Sequence, residues 1–298
     1  MSIRYVGDGP YCYADALTMI LGREGPGPAA IEVLTGSPFG LALHGEDLPF
    51  FTPARWNPEL GIPIALELLG WTCARTAGSR DEAVALIERA TPDEPVLTGP
   101  IEMGLLPHHP GLGQAIGAEH YITVIGLEGD TVRMHDPRGY PFATLPLDAF
   151  LAAWQTDAFV YPVEPYIVRS GFRRIREVDL HTALRDSLPA AAKWLDGPEA
   201  AAAAERIAEI LEAGLTNTQW KYLAEYTVSG GARRLADASV MLGEIGCTGP
   251  AAVLEQQARL VGALQHPIVV GDRAGAAALC RKLGPTYEQL RGEILRVL

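Results

Sequence analysis

The stretch EHYITVIGLEGDTVRMHDP, residues 119–137, decides the fold class of the first half of the chain. HYITVIGL is β-branched and aromatic, as a strand requires, Glu128-Gly129-Asp130 is a turn, and TVRMHDP reads as the returning strand. With the turn centred on Gly129, paired residues have numbers summing to about 258. His120 then faces Arg138, one same-face step from Asp136. A turn one residue different in length puts His120 opposite Asp136 or nearly so. Pro137 stops the ladder, because proline has no N–H to give it, and frees Asp136 to point inward. His135 alternates away from Asp136, to the opposite face.

Toward the N-terminus, Gly9-Pro10 precedes CYADALTMILG, where Ala14, Leu17, Ile20 and Leu21 recur at helical spacing and Gly22 ends the run. Cys12 therefore stands where a helix begins. The free N–H groups and dipole of a helix start favour a thiolate, the form in which cysteine is a nucleophile. His120 is the histidine placed to act as its base, and an acid beside an imidazole fixes its tautomer and stabilises its cation. Cys12, His120 and Asp136 are thus expected to form a catalytic triad.

The remaining cysteines, Cys73, Cys247 and Cys280, lie far apart with no CxxC pair, so they predict buried structural thiols rather than a zinc site or a disulfide framework. His108-His109 sits in the loop MGLLPHHPGLGQAIGA (103–118) and is expected to be exposed to solvent or to line the cleft. His44, His181 and His266 have no partner in the pattern.

Residues 23–60 are rich in Gly and Pro and predict irregular structure with short helical turns. Helices are expected at 62–69 and from Ser79 or Asp81 to Ala90, and a buried strand from Pro95. A short helix ending near Trp154 and a strand FVYPV (159–163) close the half. Pro162, Pro165 and the run RSGFRRIREVD (169–179) predict a linker. Beyond it the pattern is all-helical, at 179–194, 198–214, 217–228, 232–243, 250–264, 272–283 and 285–298, with breaks at Gly197-Pro198, Gly230-Gly231, Gly249-Pro250 and Gly284-Pro285. The class is α+β, with one domain at 1–165 and a helical bundle domain at 166–298.

Charge supports that division. The 298 residues carry a net −12, of which residues 1–165 hold −13 (8 Lys/Arg against 21 Asp/Glu) and residues 166–298 hold +1. The acidic balance argues against nucleic acid or an anionic membrane surface as the main partner. No apolar run approaches the ~20 residues of a membrane span, and the N-terminus has no signal-like apolar region, so a cytoplasmic location is expected.

The segments GPYCYADALTMILG, EHYITVIG and MHDPRGYPFATLPLDAFLAAW, with Phe150 and Trp154 in the last, resemble papain-like cysteine proteins of the bacteriocin-peptidase-like group. There a cysteine starts a helix, a strand carries the histidine and the next strand ends in Asp-Pro, so Cys12, His120 and Asp136 align with the three roles. The group's upstream oxyanion-hole Gln is replaced by Val6. The Cys12 N–H can supply one donor, and Tyr11, Tyr13 and Gln114 are candidates for the second. A papain-like half followed by a helical half resembles the butirosin-pathway acyltransferase family, and still more the cysteine-dependent Dieckmann cyclases of tetramic acid biosynthesis.

That resemblance implies a β-ketoamide thioester, delivered by an acyl or peptidyl carrier protein and closed to a tetramate (pyrrolidine-2,4-dione) without cofactor or metal. The same triad also serves acyl transfer to an amine, or hydrolysis. Carrier proteins are usually acidic, so docking is expected at the basic run Arg169, Arg173, Arg174 and Arg176.

Overall fold

The computed structural model describes residues 11–45, 47–110, 113–154, 157–159 and 161–298. In chain order the elements are α1 (Cys12–Leu21), α2 (Pro28–Thr35), β1 (Ala42–His44), β2 (Leu48–Phe50), α3 (Pro58–Leu68), β3 (Trp71–Thr76), α4 (Arg80–Arg89), β4 (Val96–Glu102), β5 (Glu119–Glu128), β6 (Thr131–Asp136), β7 (Tyr140–Pro146), α5 (Leu147–Ala153) and β8 (Val168–Arg174). The elements that follow are helical: α6 (Leu180–Trp194), α7 (Glu199–Ala213), α8 (Asn217–Tyr222), a π-helical turn (Leu223–Thr227), α9 (Val228–Glu244), α10 (Thr248–Ala263), α11 (Gln265–Val270) and α12 (Arg273–Leu295). The class is α+β.

Contacts divide the chain into two units. The first joins the chain up to Pro28 to Gly70–Glu177, and the second joins Ala29–Leu69 to Val178–Leu298. The division differs from a single cut after residue 165. Residues 169–179 do not form the expected linker, because β8 lies within the sheet, paired with β3 and β4. The expected strand at 159–163 is absent at its described positions, and Val160 lies outside them. Pro162 and Pro165 remove ladder donors there, and the pairing falls to the β-branched start of β8 instead.

The first unit is built on an antiparallel six-stranded sheet in the order β3-β8-β4-β5-β6-β7. β5 has neighbours on both sides and is buried along most of its length. Its side chains alternate as a pleat requires. Ile122 and Val124 join Ile87 of α4, Phe150 of α5, Trp154, Met134 and Val168 in an apolar core. Thr123 instead donates to the Ala16 carbonyl of α1 at 3.3 Å, and Tyr121 meets Tyr13 edge to face. Ser79 caps α4 by accepting from the Glu82 N–H.

The β5–β6 hairpin turns on two residues, Gly129 and Asp130, so the first pairs (Glu128 with Thr131, Leu127 with Val132) sum to 259. A bulge between Val124 and Gly126 shifts the ladder, and Thr123 pairs with His135 at a sum of 258. The register beyond the bulge is therefore the one expected for a turn centred on Gly129. At Gly99 β4 approaches β5 closely: φ is +142°, and a Cβ there would stand 2.7 Å from the His120 carbonyl oxygen. Only glycine fits that backbone beside His120.

In the second unit the stretch 29–60 is more regular than its Gly/Pro content suggests, holding α2, the β1–β2 hairpin and the start of α3. Asn57 caps α3 and Pro58 occupies its first turn, so the proline starts a helix rather than breaking one. The expected break at Gly284-Pro285 does not occur, because α12 runs through it. A Cβ on Gly284 would lie 3.3 Å from that of Ala204, so the glycine sits where α12 and α7 pack closely. Gly230-Gly231 likewise falls inside α9. A buried ion pair, Glu32 with Arg234 at 2.9 Å, ties α2 to α9, and Glu32 also accepts from Ser37. Among the described residues no helix is long and apolar enough to cross a membrane.

Candidate active site

Cys12 is the first residue of α1, directly after the fully buried Tyr11. Tyr11 makes no side-chain cap, so the positive end of the helix dipole lies at Cys12. α1 packs on β5, whose second residue is His120. The His120 Nε2 lies 2.7 Å from Asp136 Oδ1. Cys12 also acts on the ring, adding to the upward shift of its pKa. With Nε2 on Asp136, Nδ1 is the ring nitrogen not engaged by the carboxylate.

Asp136 is fully buried and, among the described residues, accepts at least four hydrogen bonds. Oδ1 takes His120 and, at 2.8 Å, the backbone N–H of Arg138. Oδ2 takes His108 Nε2 at 2.7 Å and His109 Nε2 at 2.6 Å. Burial alone would raise the carboxyl pKa, but the charge of His120 and the three imidazole bonds hold it well below the usual carboxylate range. Burial pulls His120 down as well. The charge of Asp136, its hydrogen bond and then Cys12 outweigh that, and lift the imidazole from 6.5 to about 10. For His109 the balance reverses, and burial lowers its pKa despite the bond to Asp136. Near neutral pH one carboxylate thus faces a cationic His120 and a neutral His109.

The inward position of His108 and His109 overturns the expectation of exposure to solvent and leaves the alternative that they line the site. His109 is 3% exposed, and the rings of both pack on Tyr140. Pattern reasoning did not place them against Asp136. The available signal was two adjacent histidines held between Pro107 and Pro110. Glu102 was also missed. This buried carboxylate accepts the N–H groups of Gly104, Ile116 and Gly117, each at 3.0 Å, and so closes the loop that carries the two histidines.

The other expected residues fall as follows. His135 is buried, makes no contact with Asp136, and accepts the Phe142 N–H at Nδ1. His44 does have a partner, stacking on Phe50 at 4.1 Å, and burial lowers its pKa to about 4. His181 and His266 are exposed. Cys247 and Cys280 are buried, and burial pushes the Cys280 thiol up to about 12. Cys73 is partly exposed on β3. Of the oxyanion candidates, Tyr13 packs on Tyr121 and Gln114 is exposed, while Val6 lies outside the described residues. Arg169 is 3% exposed within β8, so it cannot belong to a docking patch; Arg173, Arg174 and Arg176 are exposed.

Residues 195–295, inside the second unit, match the YobF C-terminal domain family. The chain is 32% identical over 161 residues to the protein titled "Uncharacterized protein YobF" of Bacillus subtilis (strain 168). That overlap covers 53% of this chain and 52% of the relative, so the chain spans about half the length of the curated relative it matches.

Proposed function

We propose that the protein is an acyl-transfer enzyme with a papain-like catalytic half, and that it works as a Dieckmann cyclase. In this reading Cys12 is the nucleophile, His120 the acid and base, and Asp136 the residue that orients His120. The observation that carries it is one imidazole held at Nε2 by a buried carboxylate, 2.7 Å away, with a cysteine at a helix start that raises the same ring's pKa.

The chemistry follows from that arrangement. An imidazolium is the counterion a thiolate nucleophile needs. The Cys12 sulfur attacks the thioester carbonyl of a carrier-bound β-ketoamide, and the carrier sulfur leaves with the proton from His120. Acylation removes the negative charge beside His120, which favours its neutral form. Neutral His120 then takes the acidic proton between the two carbonyls. The carbanion attacks the Cys12 acyl carbon, the C–S bond breaks, and the five-membered ring closes. Sulfur departs as thiolate beside a protonated His120, so the starting pair is restored. Asp136 stabilises the cation in both protonated stages.

The test supplies an N-acyl aminoacyl β-ketoamide thioester on a short thiol, with products followed by mass spectrometry with and without a polyamine. The expected product is a tetramate, lost in Cys12→Ala and His120→Ala. Free acid alone would make the protein a hydrolase, and an amide formed only with the polyamine would make it an amine acyltransferase. A tetramate that persists in Cys12→Ala would refute covalent catalysis.

A further inference from the structure

Two adjacent histidines seldom aim at one atom, because consecutive side chains diverge on a strand or helix. Here the turn after Leu106, closed by the His109 N–H to Leu106 carbonyl bond at 3.0 Å, brings both Nε2 atoms onto Asp136 Oδ2, at 2.7 and 2.6 Å. Three Lewis-basic atoms thus converge, all within 4.8 Å of one another. Something electrophilic must lie among them, either a proton on each nitrogen or one cation. A histidine tautomer is ordinarily set by the bond its other nitrogen makes. Neither His108 Nδ1 nor His109 Nδ1 has a hydrogen-bond partner among the described residues. In the metal-free state the Asp136 carboxylate holds a proton on each Nε2; a cation at Oδ2 would replace those protons, which can move to the open Nδ1 positions, and use both Nε2 lone pairs.

We propose that His108 Nε2, His109 Nε2 and Asp136 Oδ2 bind one divalent transition-metal ion of the Zn2+ type. Two imidazoles and a carboxylate are a borderline donor set suited to that ion, with solvent as the fourth ligand. Metal–ligand distances of about 2.1 Å in a tetrahedron put ligand atoms about 3.4 Å apart, so each Nε2–Oδ2 distance must lengthen by about 0.7 Å. Side-chain rotation of His108, whose side chain is 12% exposed, supplies part of that and gives the ion a path in. Oδ1 stays on His120, so Asp136 bridges the ion and the imidazole. The bare Nδ1 atoms leave the ligands without the outer hydrogen bonds that tighten metal sites, which points to an exchangeable ion rather than a permanent one.

The test is a Co2+ titration of the chelator-treated full chain, read by visible absorption. The expected result is one Co2+ per chain with four-coordinate d–d bands, displaced by Zn2+. Binding should be unchanged in Cys12→Ser, and about tenfold weaker or worse in His108→Ala and in His109→Gln. Absence of binding to the folded wild-type chain overturns the proposal, whatever the variants do. So does a signal that survives both histidine substitutions, or a sulfur charge-transfer band that vanishes in Cys12→Ser. The readout is absorption rather than turnover. An inactive chain that binds Co2+ therefore fails only the cyclase reading, and an active chain that does not bind fails only this one.

Discussion

Replacing Asp136 by Asn keeps the shape of the side chain and removes its charge. In the native protein the carboxylate is the main reason why buried His120 holds its proton up to about pH 10 rather than 6.5. At about 1.4 kcal/mol per pH unit, that difference is about 5 kcal/mol of preference for the imidazolium. Burial opposes it and is the largest single influence on the ring. Without the carboxylate, burial dominates, and His120 is expected to titrate below 6.5. The assay is NMR of ring-labelled histidine in chelator-treated protein, with His120 identified by its loss in His120→Gln. The wild-type His120 signal should stay that of the cation through neutral pH, and the Asp136→Asn signal that of the neutral ring. Turnover should fall by about 10⁴-fold, the order seen when the acid of such a triad becomes an amide. A His120 midpoint that remains above neutral in Asp136→Asn would refute the argument that Asp136 sets the protonation of the site.

The same groups give stability a pH dependence. His120 binds its proton more tightly in the folded chain, so its contribution is full below pH 6.5 and is lost as pH rises toward about 10. Asp136 binds its proton less tightly when folded, so its contribution is full above pH 3.8 and is lost as pH falls below that. Chemical denaturation at pH 4, 6, 8 and 10 should show a maximum near pH 6, and a flat response from 6.5 to 10 in wild type would count against the His120 account. Iodoacetamide followed by peptide mapping should label Cys12 fastest and leave Cys280 unlabelled in the folded chain, because burial holds that thiol near 12. Faster labelling at Cys73 than at Cys12 would contradict an activated nucleophile. Reversing Arg173 and Arg174 to Glu should raise KM for a carrier-bound substrate while leaving turnover of a short-chain thioester unchanged; equal KM values for the carrier substrate would remove the docking assignment.

The hairpin was legible because its signals are local. Period-two alternation, a Gly-Asp turn and a closing Pro137 each act within a few residues, and together they define β5 and β6. The start of α1 at Cys12 was legible for the same reason. Other features depend on long-range neighbours. The run 169–179 carries the charge and glycine of a linker, yet Val168–Arg174 pairs with β3 and β4, because a strand's fate depends on partners distant in sequence. Gly284-Pro285 has the signature of a break, but helix packing against α7 carries α12 through it.

The site divides along the same line. The sequence by itself determined that a helix-start cysteine, a strand histidine and an aspartate at a strand end exist, because each rests on local geometry. Tertiary structure decided how closely His120 and Asp136 meet, at 2.7 Å, on the register that the hairpin already brings near. It alone decided that His108 and His109 share the same carboxylate, since only the closed loop, anchored on buried Glu102, turns two loop histidines inward. Backbone periodicity is written in neighbouring residues, whereas the convergence of side chains on one oxygen depends on how distant segments pack.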